Sequence, residues 1–549
     1  MSVMTQPQAM KTNAYVGGLD TVNGHDAWAL FKACAAGDLS KVKALLAKDR
    51  RLVNAWYSYQ LPIHLAVRAG HTQIVKLLLE HGAVPWDDLL LAARERGRHQ
   101  VEQVLVQAMR KRFGYSPEFD ALKDAIIARD SRKIGTLLRR QPELAHASDA
   151  RGNNALHWSV ITRQMDLIDR FAALGTPIDA LRADGQTPIL IAVNGGCNSY
   201  RAARDRSHSS IRNRFVIVGY LLARGAKYTI SVAAAVGDQE RIEELLHKDP
   251  GLAKRLDSAG ESPLSYASQG GYLHIVRLLL ERGADPNIAE TGAADGLALY
   301  LACAGNHLEI ARLLLAHGAN PHAGLDGCQH CVNITRVYHS EQAKPIEQLM
   351  RQHGAYTQPY HMSTRQMKQA IRDGHEVIRH PEFLGNLMAK CNAELLELYL
   401  DSDPRFLEEM ADELAVPWSA ALVKKLLARG LAPNRTDWLG KTFLHACATS
   451  GNRSSAAALL EAGADINARD VEFHATPLAA AIRYEPWCQS EDRSQLGERK
   501  REMVEFLLER GAATNLPDDE PWSTPLAWAR KKVGLAEIEE ILLKHGASR

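Results

Sequence analysis

The chain has 549 residues, 46% of them hydrophobic and 24% charged, with a formal net charge of +2. A balance this close to neutral supplies no general basic field for nucleic acid, and no apolar run reaches the roughly 18 residues of a membrane span. The eight cysteines stand scattered, mostly in apolar helical stretches, a usage that fits free thiols in a reducing compartment better than a disulfide frame. The N-terminus lacks a charged-then-apolar signal pattern, so a cytoplasmic location is expected, with export as an effector left open.

Residues 1–25 carry no periodicity and are expected to form a flexible tail. From Asp26 onward two signatures recur. One is a cap residue, an apolar helical stretch and a stop eleven residues after the cap. It runs from Asp38 to Asp49, Asp130 to Gln141, Asp238 to Asp249 and Asn392 to Asp403. The other opens on a T-P-L-H theme and closes on L-L-x-x-G-A. Its copies run from Leu61-Pro62-Ile63-His64 to Gly82-Ala83, from Ser262-Pro263-Leu264 to Gly283-Ala284, from Thr442-Phe443-Leu444-His445 to Gly463-Ala464 and from Thr524-Pro525-Leu526 to Gly546-Ala547. The closing glycines Gly283, Gly318 and Gly354 are 35 and 36 residues apart, and Gly430 and Gly463 are 33 apart.

Each position has a mechanical reason. Proline in a first helical turn costs no hydrogen bond and presets φ, and the Thr or Ser before it caps the helix. Glycine supplies the left-handed stop of the second helix. His64, His157 and His445, at the fourth position, can bridge neighbouring repeats by hydrogen bonds, a structural role rather than a catalytic one.

These motifs resemble the ankyrin repeat, with its period near 33 residues and its T-P-L-H signature. The resemblance runs from Asp26 to Arg549 and implies an all-α, curved solenoid of about fifteen helix-turn-helix units with projecting loops. It also implies partner binding on the concave face, built of first helices and loop tips. The D-P-x-L-like units often open bacterial-looking arrays of this family. Their internal recurrence divides the chain into sub-arrays at 26–118, 119–228, 229–360 and 361–549, the last with a degenerate start.

Two repeats carry insertions between their helices. Pro188 to Val218 is 30 residues where thirteen is usual, and the added segment, 194–215, holds Arg201, Arg204, Arg206, Arg212 and Arg214 against one acid, Asp205. Arginine forks bind phosphate and carboxylate groups, so polyanion binding is one reading of this loop; a solvated excursion packed on the body is the other. Pro477 to Val504 is 27 residues, and that insertion, 484–503, mixes charges around Trp487 and Cys488.

Loop tips usually hold polar residues and glycine, yet here they place Trp56, Tyr57, Tyr59, Trp438, Phe473 and Trp522. Such rings are either interface anchors or packing between repeats. Cys328 and Cys331 have metal-like spacing, but a lone C-x-x-C lacks the second ligand pair that tetrahedral zinc needs. No catalytic signature occurs among the repeats. The sequence therefore points to a non-catalytic, monomeric scaffold for one or more proteins, without a cofactor. Polyanion binding at 201–214 is the alternative, and a metal or redox-linked role at Cys328 and Cys331 is third.

Overall fold

The computed structural model describes residues 4–11, 13–17, 20–193, 214–325, 329–331, 334, 342, 344–356, 362–379, 381–403, 405–412, 419–483, 493–532 and 534–548. Two compact units emerge, a larger one of residues 16–22 and 33–356 and a smaller one of 1–15, 23–32 and 357–549. Apart from two short strand pairs, 15–17 with 20–22 and 324–325 with 329–330, the regular elements described are helical. No helix among the described residues is long and apolar enough to cross a membrane.

The helices come in pairs, as in Pro62–Ala69 with Thr72–Glu80, Pro263–Gly270 with Leu273–Glu281 and Phe443–Ser450 with Arg453–Glu461. Ile275, Val276, Leu279 and Leu280 show how a second helix is held: all are buried, and full burial of each such side chain stabilises by about 1.5–3 kcal/mol. First helices pack on first helices, as in the run Ile230–Val236, Pro263–Gly270 and Ala298–Ala304. In the larger unit one hydrophobic core runs from Phe119 to Ala355, and in the smaller unit another runs from Ala448 to Ala547.

The four cap-and-stop units share one construction. Asp38, Asp130, Asp238 and Asn392 each accept the backbone N–H three residues ahead, at 2.9–3.0 Å, starting a ten-residue helix. At the far end, Asp49, Asp249 and Asp403 accept the N–H two residues ahead at 3.0 Å. After Asp49 and Asp249, as after Gln141, a 3-10 turn follows, Arg50–Asn54, Pro250–Lys254 and Pro142–His146.

Two regions differ from expectation. Residues 4–11 are laid down rather than left as a loose tail: Gln8–Met10 form a 3-10 turn and Met10 is fully buried, an apolar anchor outside any helical periodicity. Within the 484–503 insertion, residues 493–503 continue the second helix backwards, making Arg493–Glu509 17 residues long against nine in Arg453–Glu461. Lys500 on this extension is buried, and its ammonium donates to the Ile482 carbonyl at 3.3 Å, satisfying the end of the preceding helix. Trp487 and Cys488 lie outside the described residues.

Candidate partner-binding surface

Four of the projecting loops are hydrogen-bonded hairpins of one kind. In Asp149–Asn153, Asp257–Glu261 and Asp437–Lys441 the first N–H donates to the last carbonyl at 2.9–3.1 Å. The aspartate carboxylate also accepts the N–H groups two and four residues ahead, at 2.8–3.1 Å. Arg182–Gln186 closes with the same backbone bond, while Arg182 forks onto Asp184 at 2.7 and 2.8 Å. The fourth residue of each hairpin is a left-handed glycine: Gly152, Gly185, Gly260 or Gly440, with φ of 76–84°. Gly185 is also a close approach, since a Cβ there would lie 1.6 Å from the Ser258 carbonyl oxygen of the next hairpin.

The T-P-L-H histidines hold these hairpins from below. The ring Nδ1 of His157 and of His445 accepts the N–H of its own cap residue, at 3.2 and 3.1 Å. The proton therefore sits on Nε2, which donates to Gln186 O at 3.2 Å and to Ala475 O at 2.9 Å in the next repeat. Both rings are neutral. Burial, helped by Arg182, brings His157 down to about 3, and burial likewise lowers His445. At the equivalent place Ser265 is too short to reach across. There Glu290 comes back from the next loop instead, accepting Ser262 N–H at 2.7 Å and the Ser265 hydroxyl at 2.6 Å. Burial pushes that carboxyl up to about 8.

The hairpin at residues 57–60 departs from this plan. Tyr57 and Gln60 exchange both backbone bonds, at 3.0 and 2.9 Å, around Ser58 and Tyr59 with φ of 47° and 63°. This is a two-residue turn with both central residues left-handed, a geometry that normally calls for Asn-Gly. Tyr59 stands where the other hairpins place glycine, at a cost of about 1–2 kcal/mol. The rings of Trp56 and Tyr59 meet edge to face, 5.5 Å between centroids, and remain 37% and 47% exposed. Tyr57 beside them is half-buried.

The remaining predicted rings fare differently. Trp438 is only 6% exposed and lies edge to face against Phe31 at 5.7 Å, so it packs within the smaller unit and is not an open anchor. The ring that covers it comes from a segment some 400 residues away in sequence, which no local pattern reveals. Phe473 and Trp522 are half-buried around Trp528, at 6.2 and 6.3 Å, with the Arg483 guanidinium 3.5 Å above Phe473 and the Lys531 ammonium 4.5 Å above Trp528. Beside them His474 is exposed and, like Tyr59, takes a left-handed conformation (φ 49°).

Arg201, Arg204, Arg206 and Arg212 lie outside the described residues, and Arg214 begins the helix Arg214–Leu222. Cys328 also lies outside them. Cys331 is fully buried, with its thiol donating to Ala323 O at 3.1 Å. Burial and the adjoining Cys303 thiol hold its pKa well above the ordinary cysteine value. It is thus an enclosed thiol with a sulfur neighbour, Cys303, on the helix Ala298–Ala304.

Sequence reading missed an amide ladder. At several repeats the residue four past the closing glycine reaches the next repeat's G-A turn. Asn287 donates to Gly318 O (2.8 Å) and accepts Asn320 N–H (2.7 Å), Asn434 does the same with Gly463 and Asp465, and Asn515 with Gly546 and Ser548. The signal was present as a recurrent Asn at a fixed distance from the G-A glycine.

Stacked helix pairs with projecting hairpins define the class, and comparison with known proteins gives the family. A profile described as ankyrin repeats (three copies) matches residues 30–113 and 230–324, and one described as ankyrin repeat matches 439–471. The chain carries ankyrin repeats. It is 34% identical over 115 residues to the human DNA-binding protein RFXANK, covering 20% of this chain and 44% of that protein. To the mouse palmitoyltransferase ZDHHC13 it is 26% identical over 143 residues, 24% of this chain and 22% of the relative. The chain thus spans less than half the length of these curated relatives. The crystal structure of the human ASB11 ankyrin repeat domain aligns at 19% identity over 44% of this chain and 99% of that one, with a TM-score of 0.24, too low to bear on the fold. Ankyrin repeats are protein-interaction modules, and that general role carries over to this chain.

Proposed function

We propose that the protein is a non-catalytic scaffold that holds a partner protein on its hairpin tips, with Trp56, Tyr57 and Tyr59 as anchoring rings. One observation carries the reading: a strained turn in which Tyr59 occupies a glycine position and, with Trp56, stays exposed. Strain is kept where surrounding structure and use over-determine it, and Trp and Tyr are the usual hot-spot residues of interfaces. Phe473 and Trp522, beside the left-handed His474, offer a second tip of similar kind in the smaller unit.

The test is affinity capture with mass spectrometry, comparing the wild type with Trp56→Ala. The expected outcome is loss of a specific partner, by about 2 kcal/mol or roughly thirtyfold in affinity, with the melting temperature unchanged. Retention of every partner contradicts the assignment. A second reading, polyanion binding, rests on the five arginines of 194–215 and on the name of RFXANK, a DNA-binding protein. It predicts a steep salt dependence of nucleic-acid or phosphoinositide binding that disappears when 201–214 is deleted.

A further inference from the structure

The segment 4–11 sits on the smaller unit in the way a bound peptide would. The Thr5 hydroxyl meets the Thr436 hydroxyl at 3.2 Å, the Gln8 backbone N–H donates to the Asp412 carboxylate at 3.1 Å, and the Lys11 ammonium lies 4.0 Å from Glu408. Pro7 and Met10 are its buried residues. They are three apart across the 3-10 turn Gln8–Met10, a spacing that sets both on one face. The receiving groups come from the helix Phe406–Asp412 and from Thr436, which pairs with Thr442 at the base of the hairpin carrying Trp438. One of the three contacts therefore falls at the base of a projecting hairpin and two on a helix beside it.

We propose that residues 4–11 are a built-in pseudo-ligand. The surface of Glu408, Asp412 and Thr436 then accepts, in their place, a partner segment that makes the same 3-10 turn, with two apolar residues three apart followed at once by a basic one. Charge complementarity fixes the end: two carboxylates receive a peptide N–H and an ammonium. Exchange is feasible because one of the holding contacts is weak. The Lys11–Glu408 pair is largely exposed, and such pairs contribute little. Most of the arm's advantage over a free peptide comes from its tether, which acts as an effective concentration in the millimolar range. A partner segment of micromolar affinity, or one linked to a second contact, displaces it. This inference does not depend on the Trp56 tip.

The experiment uses full-length chains and a fluorescein-labelled peptide of residues 4–14, followed by anisotropy. Met10→Asp puts a charge at a fully buried position. Gln8→Pro removes the N–H given to Asp412, at a position where the preceding residue is already extended and proline fits the first turn. Both variants should release the arm and bind the labelled peptide at least tenfold more tightly than the wild type, in which the intact arm competes. Adding Asp412→Asn should weaken that binding. Equal binding to wild type and variants, or none to any, overturns the proposal. If Met10→Asp fails to fold, Gln8→Pro decides alone, and an affinity no different from the wild type's refutes it.

Discussion

Two hairpins in this molecule carry a tryptophan at or beside the tip, and they use it in opposite ways. At 437–441 the aspartate and glycine of the common plan are both present, and Trp438 turns into the smaller unit against Phe31. At 57–60 the aspartate is gone and a tyrosine fills the glycine position, yet Trp56 and Tyr59 stay exposed. The ring on the ordinary hairpin is thus spent on packing, whereas the rings on the strained hairpin keep 37% and 47% of their surface exposed. Backbone strain, more than aromatic content, separates a candidate anchor from a core residue.

The largest effect that could break this contrast is on stability. Trp438→Ala should cost about 3–5 kcal/mol in chemical denaturation, the usual range for truncating a buried large aromatic, whereas Trp56→Ala should stay within about 0.5 kcal/mol. Similar losses at the two sites would erase the distinction. A smaller effect comes from the histidines beneath the hairpins. His157 is neutral in the fold, its pKa brought to about 3 against about 6.5 unfolded. A folded-state value depressed in this way gives stability that is complete above pH 6.5 and lost as pH falls from there towards 3. The advantage of wild type over His157→Gln should therefore shrink by about 2 kcal/mol between pH 6.5 and pH 5, read from urea melts at the two pH values. A pH-independent difference would mean the ring is not enclosed.

The helix pairs were legible because their signals are local: proline at a helix start, glycine in the left-handed stop and aspartate caps at fixed spacing. The histidine bridges were legible too, since a ring at the fourth position points at the next repeat. Trp438 was not, because its cover arrives from Phe31 far away in sequence. The amide ladder of Asn287, Asn434 and Asn515 lay in plain view but spans some 30 residues per rung, beyond the reach of a search for helical periodicity. Residues 4–11 carry no periodicity, so nothing local in the sequence announces that Pro7 and Met10 are buried.

The most direct test of the account is Tyr59→Gly, measured for stability and partner binding on the same preparation. Glycine suits the left-handed turn, so folding stability should hold or rise by up to about 1 kcal/mol, while partner affinity falls at least tenfold. Lower stability with unchanged affinity would show that Tyr59 is a structural residue and would contradict the claim that this hairpin is strained in order to bind.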